Sequence, residues 1–319
     1  MSSGDLTPLQ MVLLILSSTF LYTWRSSLPL SWTLRIIYIN LRARYLATPS
    51  TKTPSKITRS EPHLLLSRLP APGTDIFSDV FTSSTYVATI DECDFNGHLS
   101  NSSYAKRLDF ARSEFAGQRF LRGGMDGAWV ALGGTSFRYH KEIPINGTYR
   151  VRMRIRAWDE KWCYMECNFV SKDRKTRKEV INCTAIAKLC VKAGRKTIPP
   201  WLFFALCGYA PSTSTNPKHN WVHAEDLRVQ LMAEARRKAA SKKRAIKRDS
   251  WLHGGGYGKA AGVLTAYVPV AGARGSEVAK EAVGERPEWM EKKWWDVEGW
   301  EEQRVEGLES VGEMGLTHC

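Results

Sequence analysis

The chain has 319 residues, of which 43% are hydrophobic, and its formal net charge is +14. This length and apolar fraction exclude a chain that is disordered throughout, and they allow one large domain or two small ones. The charge is unevenly spread: residues 1–60 hold a single acid, Asp5, whereas the far C-terminus is rich in Glu. Such asymmetry indicates an anionic partner surface, either a membrane or a nucleic acid.

The N-terminus has the composition of a membrane-associated segment. Residues 9–24 carry no charge, and this apolar run is slightly shorter than the ~20 residues that span a bilayer. Residues 28–46 mix apolar and basic side chains, which is typical of a helix lying among lipid headgroups. We therefore predict a membrane-associated segment over residues 1–46, with the rest of the chain in the cytoplasm because the basic residues follow the apolar run. A secretory signal peptide, a cleaved or buried helix, and a soluble cytoplasmic protein are the alternatives.

A linker is predicted at residues 47–60, followed by one α+β domain at 61–210. Residues 85–95 alternate in polarity and predict a strand. Residues 103–118 predict a helix, because Tyr104, Leu108, Ala111 and Phe115 fall on one apolar stripe.

Four further strands are predicted after this helix, at residues 128–143, 149–159, 163–171 and 180–192. Short turns join most of them, which favours an antiparallel sheet. The helix must bury its stripe on that sheet, so the predicted fold is α+β, with about five antiparallel strands wrapped round one central helix. In one strand the arginines at 150, 152, 154 and 156 face the same way. They form either a solvated face or an attraction for CoA phosphates, an acidic carrier protein or anionic lipid.

Residues 211–319 are predicted to form a basic helix and then an acidic, flexible tail of low order. A basic helix can bind nucleic acid, but a solvated helix or one paired with the acidic tail is commoner, so no nucleic-acid partner is expected. The cysteines are scattered, without a CxxC pair or a His at metal-ligand spacing. The sequence therefore predicts neither a metal site nor a cofactor.

Three polar residues, Asp94, Asn96 and His98, occupy alternate positions just before the predicted helix. A helix N-terminus can polarise a carbonyl and stabilise an oxyanion. Beside it, Asp94 could attack that carbonyl or activate a water, His98 could move a proton, and Asn96 could hold water or substrate. The alternative is that Asp94 and Asn96 only cap the turn and the helix.

The segment "DFNGHLSN" followed by "SYAKRLDFAR" resembles the entry to the central helix of hotdog-fold thioesterases of the 4-hydroxybenzoyl-CoA thioesterase type. Its Asp-x-Asn-x-His-x-x-Asn pattern is similar to that of plant acyl-acyl-carrier-protein thioesterases. Residues 85–192, about a third of the chain, most resemble the branch that contains thioesterase superfamily member six, which also carries an apolar N-terminus. Similar proteins occur in fungi, some beside pathways for lipopeptides and polyketides.

The resemblance implies a hotdog fold, usually a dimer with the thioester site near the interface, and an acyl-CoA or acyl-carrier-protein substrate. Asp94 matches the catalytic Asp of these enzymes, and Asn96 and His98 match the Asn and His of the plant enzymes. Asp109 stands where many relatives have Glu, so it is a fourth catalytic candidate. The substrate-binding candidates are Gly97, Leu99, Asn101, Tyr104, Trp129 and Phe137.

Apolar side chains near the motif predict a tunnel for a medium-to-long acyl chain. Its expected lining is Phe95, Leu99, Leu108, Trp129 and Phe137. Two other function classes remain open. A hotdog hydratase would carry Asp-x-Asn-Pro-x-His, whereas here Gly97 directly precedes His98. A non-catalytic acyl-thioester or lipid-binding protein on a membrane would need no turnover.

Overall fold

The computed structural model describes residues 7–47, 69–173, 175–241, 263–264 and 287–313. Nearly all of the predicted linker at 47–60 lies outside these ranges, as does much of the C-terminal third.

The described strands form one antiparallel sheet in the order β1-β4-β5-β6-β3, with β2 also paired to β4 and β7 to β6. The strands are β1 (Phe81–Thr82), β2 (Tyr86–Val87), β3 (Ala128–Tyr139), β4 (Thr148–Trp158), β5 (Trp162–Lys172), β6 (Glu179–Ala193) and β7 (Lys196–Thr197). The register shifts in the β3–β6, β4–β5 and β5–β6 pairs, and such bulges increase the bend and twist of a sheet. The predicted antiparallel sheet and its four long strands are confirmed.

The predicted helix is α3 (Asn101–Arg119), which contributes its apolar stripe to the core. Tyr104, Leu108, Ala111 and Phe115 are all buried, in the same hydrophobic cluster as the inward side chains of β4, β5 and β6. Apolar side chains recur about every 3.6 residues on the helix and every second residue on the strands, and both sets lie in one core. A short helix, α4 (Leu121–Met125), follows and leads into β3.

The strand predicted at residues 85–95 is mostly wrong. Only Tyr86–Val87 form a strand, β2; Cys93 makes an isolated bridge to Leu99, and Ile90–Glu92 form a 3-10 turn. The cause lies in long-range contacts: Asp91 accepts amide hydrogens from Ser26 and Ser27, and Glu92 binds Arg107 on α3. These carboxylates are directed away from the ladder that an extended strand would have formed.

The described parts of the C-terminal region pack against the domain rather than forming a tail of low order. Helices α5 (Pro200–Leu206) and α6 (His219–Ser241) are followed by 3-10 turns at Glu288–Met290, Lys292–Trp294 and Glu298–Trp300, and then by α7 (Glu301–Gly312). Trp300 is buried against Trp158 of β4, with ring centroids 5.7 Å apart. The predicted flexible tail is therefore wrong for residues 287–313, because its tryptophans bury apolar surface that a solvated tail would expose.

Two helices precede the domain. Helix α1 (Pro8–Thr23) has no buried residue, and large apolar side chains such as Leu9, Leu13 and Ile15 are exposed. Helix α2 (Ser31–Ala47) packs Ile36 and Ile39 against the core. Among the described helices, none combines the length and the apolar character needed to cross a membrane.

Candidate active site

The loop before α3 is a tight hairpin whose conformation requires a glycine. The Asp94 amide donates to the His98 carbonyl at 2.8 Å, and the Gly97 amide donates to the Asp94 carbonyl at 3.0 Å. Gly97 has a φ of +76°, a left-handed conformation that other residues rarely adopt. The predicted substrate-binding residue Gly97 therefore has a clear local role in shaping this turn.

Asp94 uses its two carboxylate oxygens differently. Oδ1 accepts the Asn96 amide at 2.9 Å and the His98 amide at 3.3 Å, which closes the turn. Oδ2 has no hydrogen-bond partner among the described residues, and the side chain is exposed. The same residue thus caps the loop, as one interpretation predicts, and keeps a free oxygen that could act on a substrate. The Asn96 side chain is also exposed.

His98 faces a carboxylate that the sequence analysis missed. Its Nε2 atom lies 3.2 Å from Oε2 of Glu142, and the two side chains are 33% and 72% exposed. The backbone brings them together, because His98 bridges to Pro144 and the Leu99 amide donates to the Ile143 carbonyl at 2.8 Å. A carboxylate at one ring nitrogen fixes the orientation of an imidazole.

In the first turn of α3, the Asn101 and Ser102 amides have no hydrogen-bond partner among the described residues, whereas the Ser103 amide donates to the Ser100 carbonyl at 2.9 Å. Ser100 is the N-cap residue, and no side chain of the described residues caps the helix through it. The Ser103 hydroxyl instead donates to the Glu92 carbonyl at 2.9 Å. The amides at the helix start can therefore receive a carbonyl oxygen or a developing oxyanion.

Three of the predicted substrate-binding residues, Asn101, Tyr104 and Phe137, meet at Tyr139 of β3. The Tyr104 ring lies 5.2 Å from the Tyr139 ring, and the Phe137 ring is stacked on Tyr139 at 6.0 Å. The Tyr139 hydroxyl is 3.5 Å from the carbonyl oxygen of Asn101. Tyr139 was predictable, because it follows Phe137 by two residues and so shares its face of the strand.

Burial keeps two phenols and one thiol near the site in their neutral form. Burial raises the pKa of Tyr104 and of Tyr139 above the ordinary value of 10, so both phenols are hydrogen-bond donors at neutral pH. Burial, reinforced by the negative charge of Asp94, raises the pKa of the Cys93 thiol. A thiolate nucleophile at Cys93 is therefore disfavoured.

Other candidates do not contact this cluster. Trp129 lies eight residues before Phe137 on β3, a separation of about 26 Å in an extended strand. Asp109 forms an ion pair with Arg112 and accepts the Trp32 indole N–H of α2 at 3.3 Å. Its catalytic role stays a prediction.

The predicted tunnel lining is only partly enclosed. Phe95 is 97% exposed, so its assignment to a tunnel wall is wrong. The hairpin holds it outward, since the neighbouring Asp94 closes the turn. Leu99 and Leu108 are buried within the core.

The arginine row of β4 is already paired. Arg152 binds Glu179 at 2.7 Å, Arg154 binds Glu166 at 2.9 Å, and Arg156 donates to the Ser310 hydroxyl of α7 at 3.0 Å. These partners satisfy most of the row, which favours the solvated-face interpretation over attraction of a phosphate ligand.

Comparison with known proteins places a family domain over this site. Residues 88–203 match the model of the thioesterase-like superfamily. The chain is similar to the thioesterase lcsJ of Purpureocillium lilacinum, with 31% identity over 141 residues that cover 38% of this chain and 46% of that protein. It is also similar to the protein THEM6 of Danio rerio, with 35% identity over 90 residues that cover 26% and 42% of the two chains.

A solved structure described as a probable thioesterase from Bartonella henselae aligns with 16% identity and a TM-score of 0.32, covering 38% of this chain and 98% of that one. The chain spans about half the length of the two curated relatives named above.

Proposed function

We propose that this chain, which carries a hotdog-type domain of the thioesterase-like superfamily over residues 88–203, hydrolyses acyl thioesters. The observation that carries the proposal is the free Oδ2 of Asp94, held directly before the uncapped N-terminus of α3. A nucleophile or general base beside unpaired amide donors is the combination that acyl transfer requires.

In the proposed reaction, the thioester carbonyl oxygen docks at the first amides of α3, which stabilise the negative charge that develops there. Asp94 either attacks the carbonyl carbon or removes a proton from an attacking water that Asn96 holds. The carbon–sulfur bond then breaks, and the thiolate takes up a proton and leaves as the thiol. His98, oriented by Glu142, is placed to supply that proton. If Asp94 was the nucleophile, a water then hydrolyses the acyl anhydride formed on its carboxylate, which releases the acid.

The proposed substrate is a medium-to-long acyl or polyketide-type chain on CoA or on an acyl-carrier protein. Phe137 and Tyr139, which pack beside the buried Tyr104, offer an aromatic surface next to the helix start. Each methylene buried there contributes about 0.8 kcal/mol, so affinity should rise with chain length until the apolar surface ends. A small charged acyl group would gain nothing from these rings.

We also propose that the chain is attached to a membrane, with its domain on the cytoplasmic side. Support comes from the exposed apolar side chains of α1 and from the contact between Asp91 and the residues that follow α1. A non-catalytic acyl-thioester-binding protein is the second candidate, favoured by the hydrogen bonds that give Asp94 a structural role.

The test is a steady-state hydrolysis series from acetyl-CoA to palmitoyl-CoA, with thiol release as the readout. Asp94→Asn keeps the turn-closing oxygen but removes the charge, so we expect kcat to fall about a hundredfold or more. The matched control is Asp173→Asn, because Asp173 closes a turn in the same way by accepting the amides of Lys175 and Thr176. The control should retain wild-type rates.

Three outcomes would contradict the proposal or a part of it. An Asp94→Asn protein as active as wild type would remove Asp94 from the chemistry. Binding of acyl-CoA or an acyl-carrier protein without thiol release from either would support the non-catalytic alternative. A rate that peaks at acetyl-CoA would overturn the long-chain substrate.

A further inference from the structure

A basic cavity of about 360 Å³ lies between the N-terminal helices and the domain, separate from the Asp94–His98 loop. Its cationic lining comes from Arg25 and Arg35 of the N-terminal segment and from Lys106 and Arg107 of α3. No carboxylate belongs to the described lining, and hydroxyl groups such as Ser31 and Thr85 complete the polar part. The cavity therefore concentrates positive charge and hydrogen-bond donors.

The nearby acids neutralise only part of this charge. Glu92 serves two cations at once: Arg107 Nε donates to its Oε2 atom at 2.8 Å, and Lys106 Nζ lies 3.5 Å from its Oε1 atom. Asp91 is occupied by the amides of Ser26 and Ser27. Glu114, behind the cavity, accepts the Tyr86 hydroxyl at 3.0 Å.

Arg35 and Arg25 are the two lining cations that form no ion pair with an acid of the described residues, and Arg35 is the more buried of the two. The Arg35 guanidinium carbon lies 4.5 Å from the centroid of the Phe110 ring and 5.5 Å from that of Tyr86. Aromatic contacts hold a guanidinium by its face and leave the N–H groups at its edge available. Burial, together with the positive charge of Arg107, lowers the pKa of Arg35, as expected for a cation that would gain from an anionic partner.

We propose that this cavity binds the phosphate group of an anionic phospholipid. A planar guanidinium matches phosphate oxygens in a bidentate geometry, and lysine and hydroxyl donors complete such a site. The cavity begins where α1 ends, because Arg25 follows the exposed apolar helix by two residues. A lipid could thus lay its acyl chains along α1 and its phosphate against Arg35, as interfacial helices allow.

The test is co-sedimentation of the full chain with vesicles of phosphatidylcholine, with and without phosphatidylglycerol. Arg35→Gln should weaken partitioning onto the anionic vesicles by about fivefold or more, the loss expected for one basic group at an anionic surface. Binding to neutral vesicles should not change, since the apolar face of α1 is intact. Arg25→Gln, at an exposed position, should act in the same direction without affecting the core.

The matched control is Arg195→Gln, which removes the same charge from the exposed turn between β6 and β7. It should change partitioning by less than about twofold. The proposed site would be wrong if Arg35→Gln and Arg195→Gln weakened binding to anionic vesicles equally, or if a folded Arg35→Gln protein bound them as well as wild type. The alternative source of phosphate is CoA: a raised KM for acyl-CoA in Arg35→Gln with unchanged vesicle binding would assign the cavity to substrate. If the chain hydrolyses nothing, the vesicle measurements still decide this proposal.

Discussion

Glu92 holds a buried ion pair that links the turn before the site to helix α3. Its carboxylate is 1% exposed and forms an ion pair with Arg107, which is 3% exposed. Removing one partner of a buried pair leaves the other charge without compensation, at a cost of about 3–5 kcal/mol. We therefore predict that Glu92→Gln lowers the free energy of unfolding by about that amount, measured by urea denaturation.

Glu179→Gln is the control for this prediction. Glu179 also pairs with an arginine, Arg152, but both side chains are largely exposed, so the loss should be under about 1 kcal/mol. If the two variants shift the denaturation midpoint equally at constant m-value, the buried pair contributes no more to stability than the exposed pair does.

Residues of the site could be predicted from sequence where a short sequence pattern marks them. Asp94, Asn96 and His98 stand at fixed spacing before a helix, and the structure places all three in one hairpin. Glu142 could not be found in this way, because it reaches His98 only through the backbone pairing of Leu99 with Ile143. For Tyr139 the sequence contained only a weak indication, because its two-residue spacing from Phe137 places both on one face of the strand.

At the scale of elements, replacing Gly307 of α7 with alanine has two opposite effects on stability: it favours the helix, but it adds a methyl group where the helix meets β4. Gly307 lies where the helix meets β4, and a Cβ there would come within 2.0 Å of the Arg156 carbonyl oxygen. In an undocked helix, Gly→Ala would stabilise by about 0.5–1 kcal/mol. We predict instead that Gly307→Ala lowers the melting temperature and speeds proteolysis of α7, because the methyl group separates the helix from the strand.

Glu306→Ala, at an exposed position of the same helix, is the control and should leave both measurements near wild type. A Gly307→Ala protein with a raised melting temperature would mean that α7 does not dock on β4.

Element prediction succeeded where burial follows a regular period and failed where distant contacts decide. In β4, the alternation of arginines with apolar residues was sufficient to predict the strand and its buried face, because Val151, Met153 and Ile155 are all buried. Residues 85–95 alternate equally well, yet Asp91 and Glu92 are drawn into contacts with the N-terminal segment and α3. For residues 287–313, acidic composition indicated a solvated tail, while Trp295 and Trp300 carried the opposite signal.

At the scale of the whole molecule, the described sheet ends in a strand that favours assembly. β3 is the last strand in the order and pairs with β6 on one side only. Two of its large apolar side chains, Trp129 and Leu132, are 41% and 49% exposed. A long apolar edge strand is usually covered in native proteins, so we expect a second copy of this chain to cover it.

The pairing would also explain why Trp129 and Phe137 lie far apart within one chain. In an antiparallel β3–β3 pair with its two-fold axis near Gly133, Trp129 of the partner subunit would stand opposite Phe137. Both predicted substrate-binding residues would then belong to one site, shared between two subunits.

The last prediction follows from this edge: the full chain is a homodimer, and Leu132→Lys converts it to a monomer. A lysine on an edge strand opposes strand addition through its charge and its hydration. Sedimentation equilibrium in density-matched detergent measures the mass without interference from α1. Val229→Lys is the control, because Val229 is 67% exposed on α6, away from the edge, and should leave the mass unchanged. A monomeric wild type at micromolar concentration, or a dimeric Leu132→Lys protein, would show that β3 is not the interface. If the site is shared, Leu132→Lys should also lose thioesterase activity, and a monomer that keeps full activity would confine the site to one subunit.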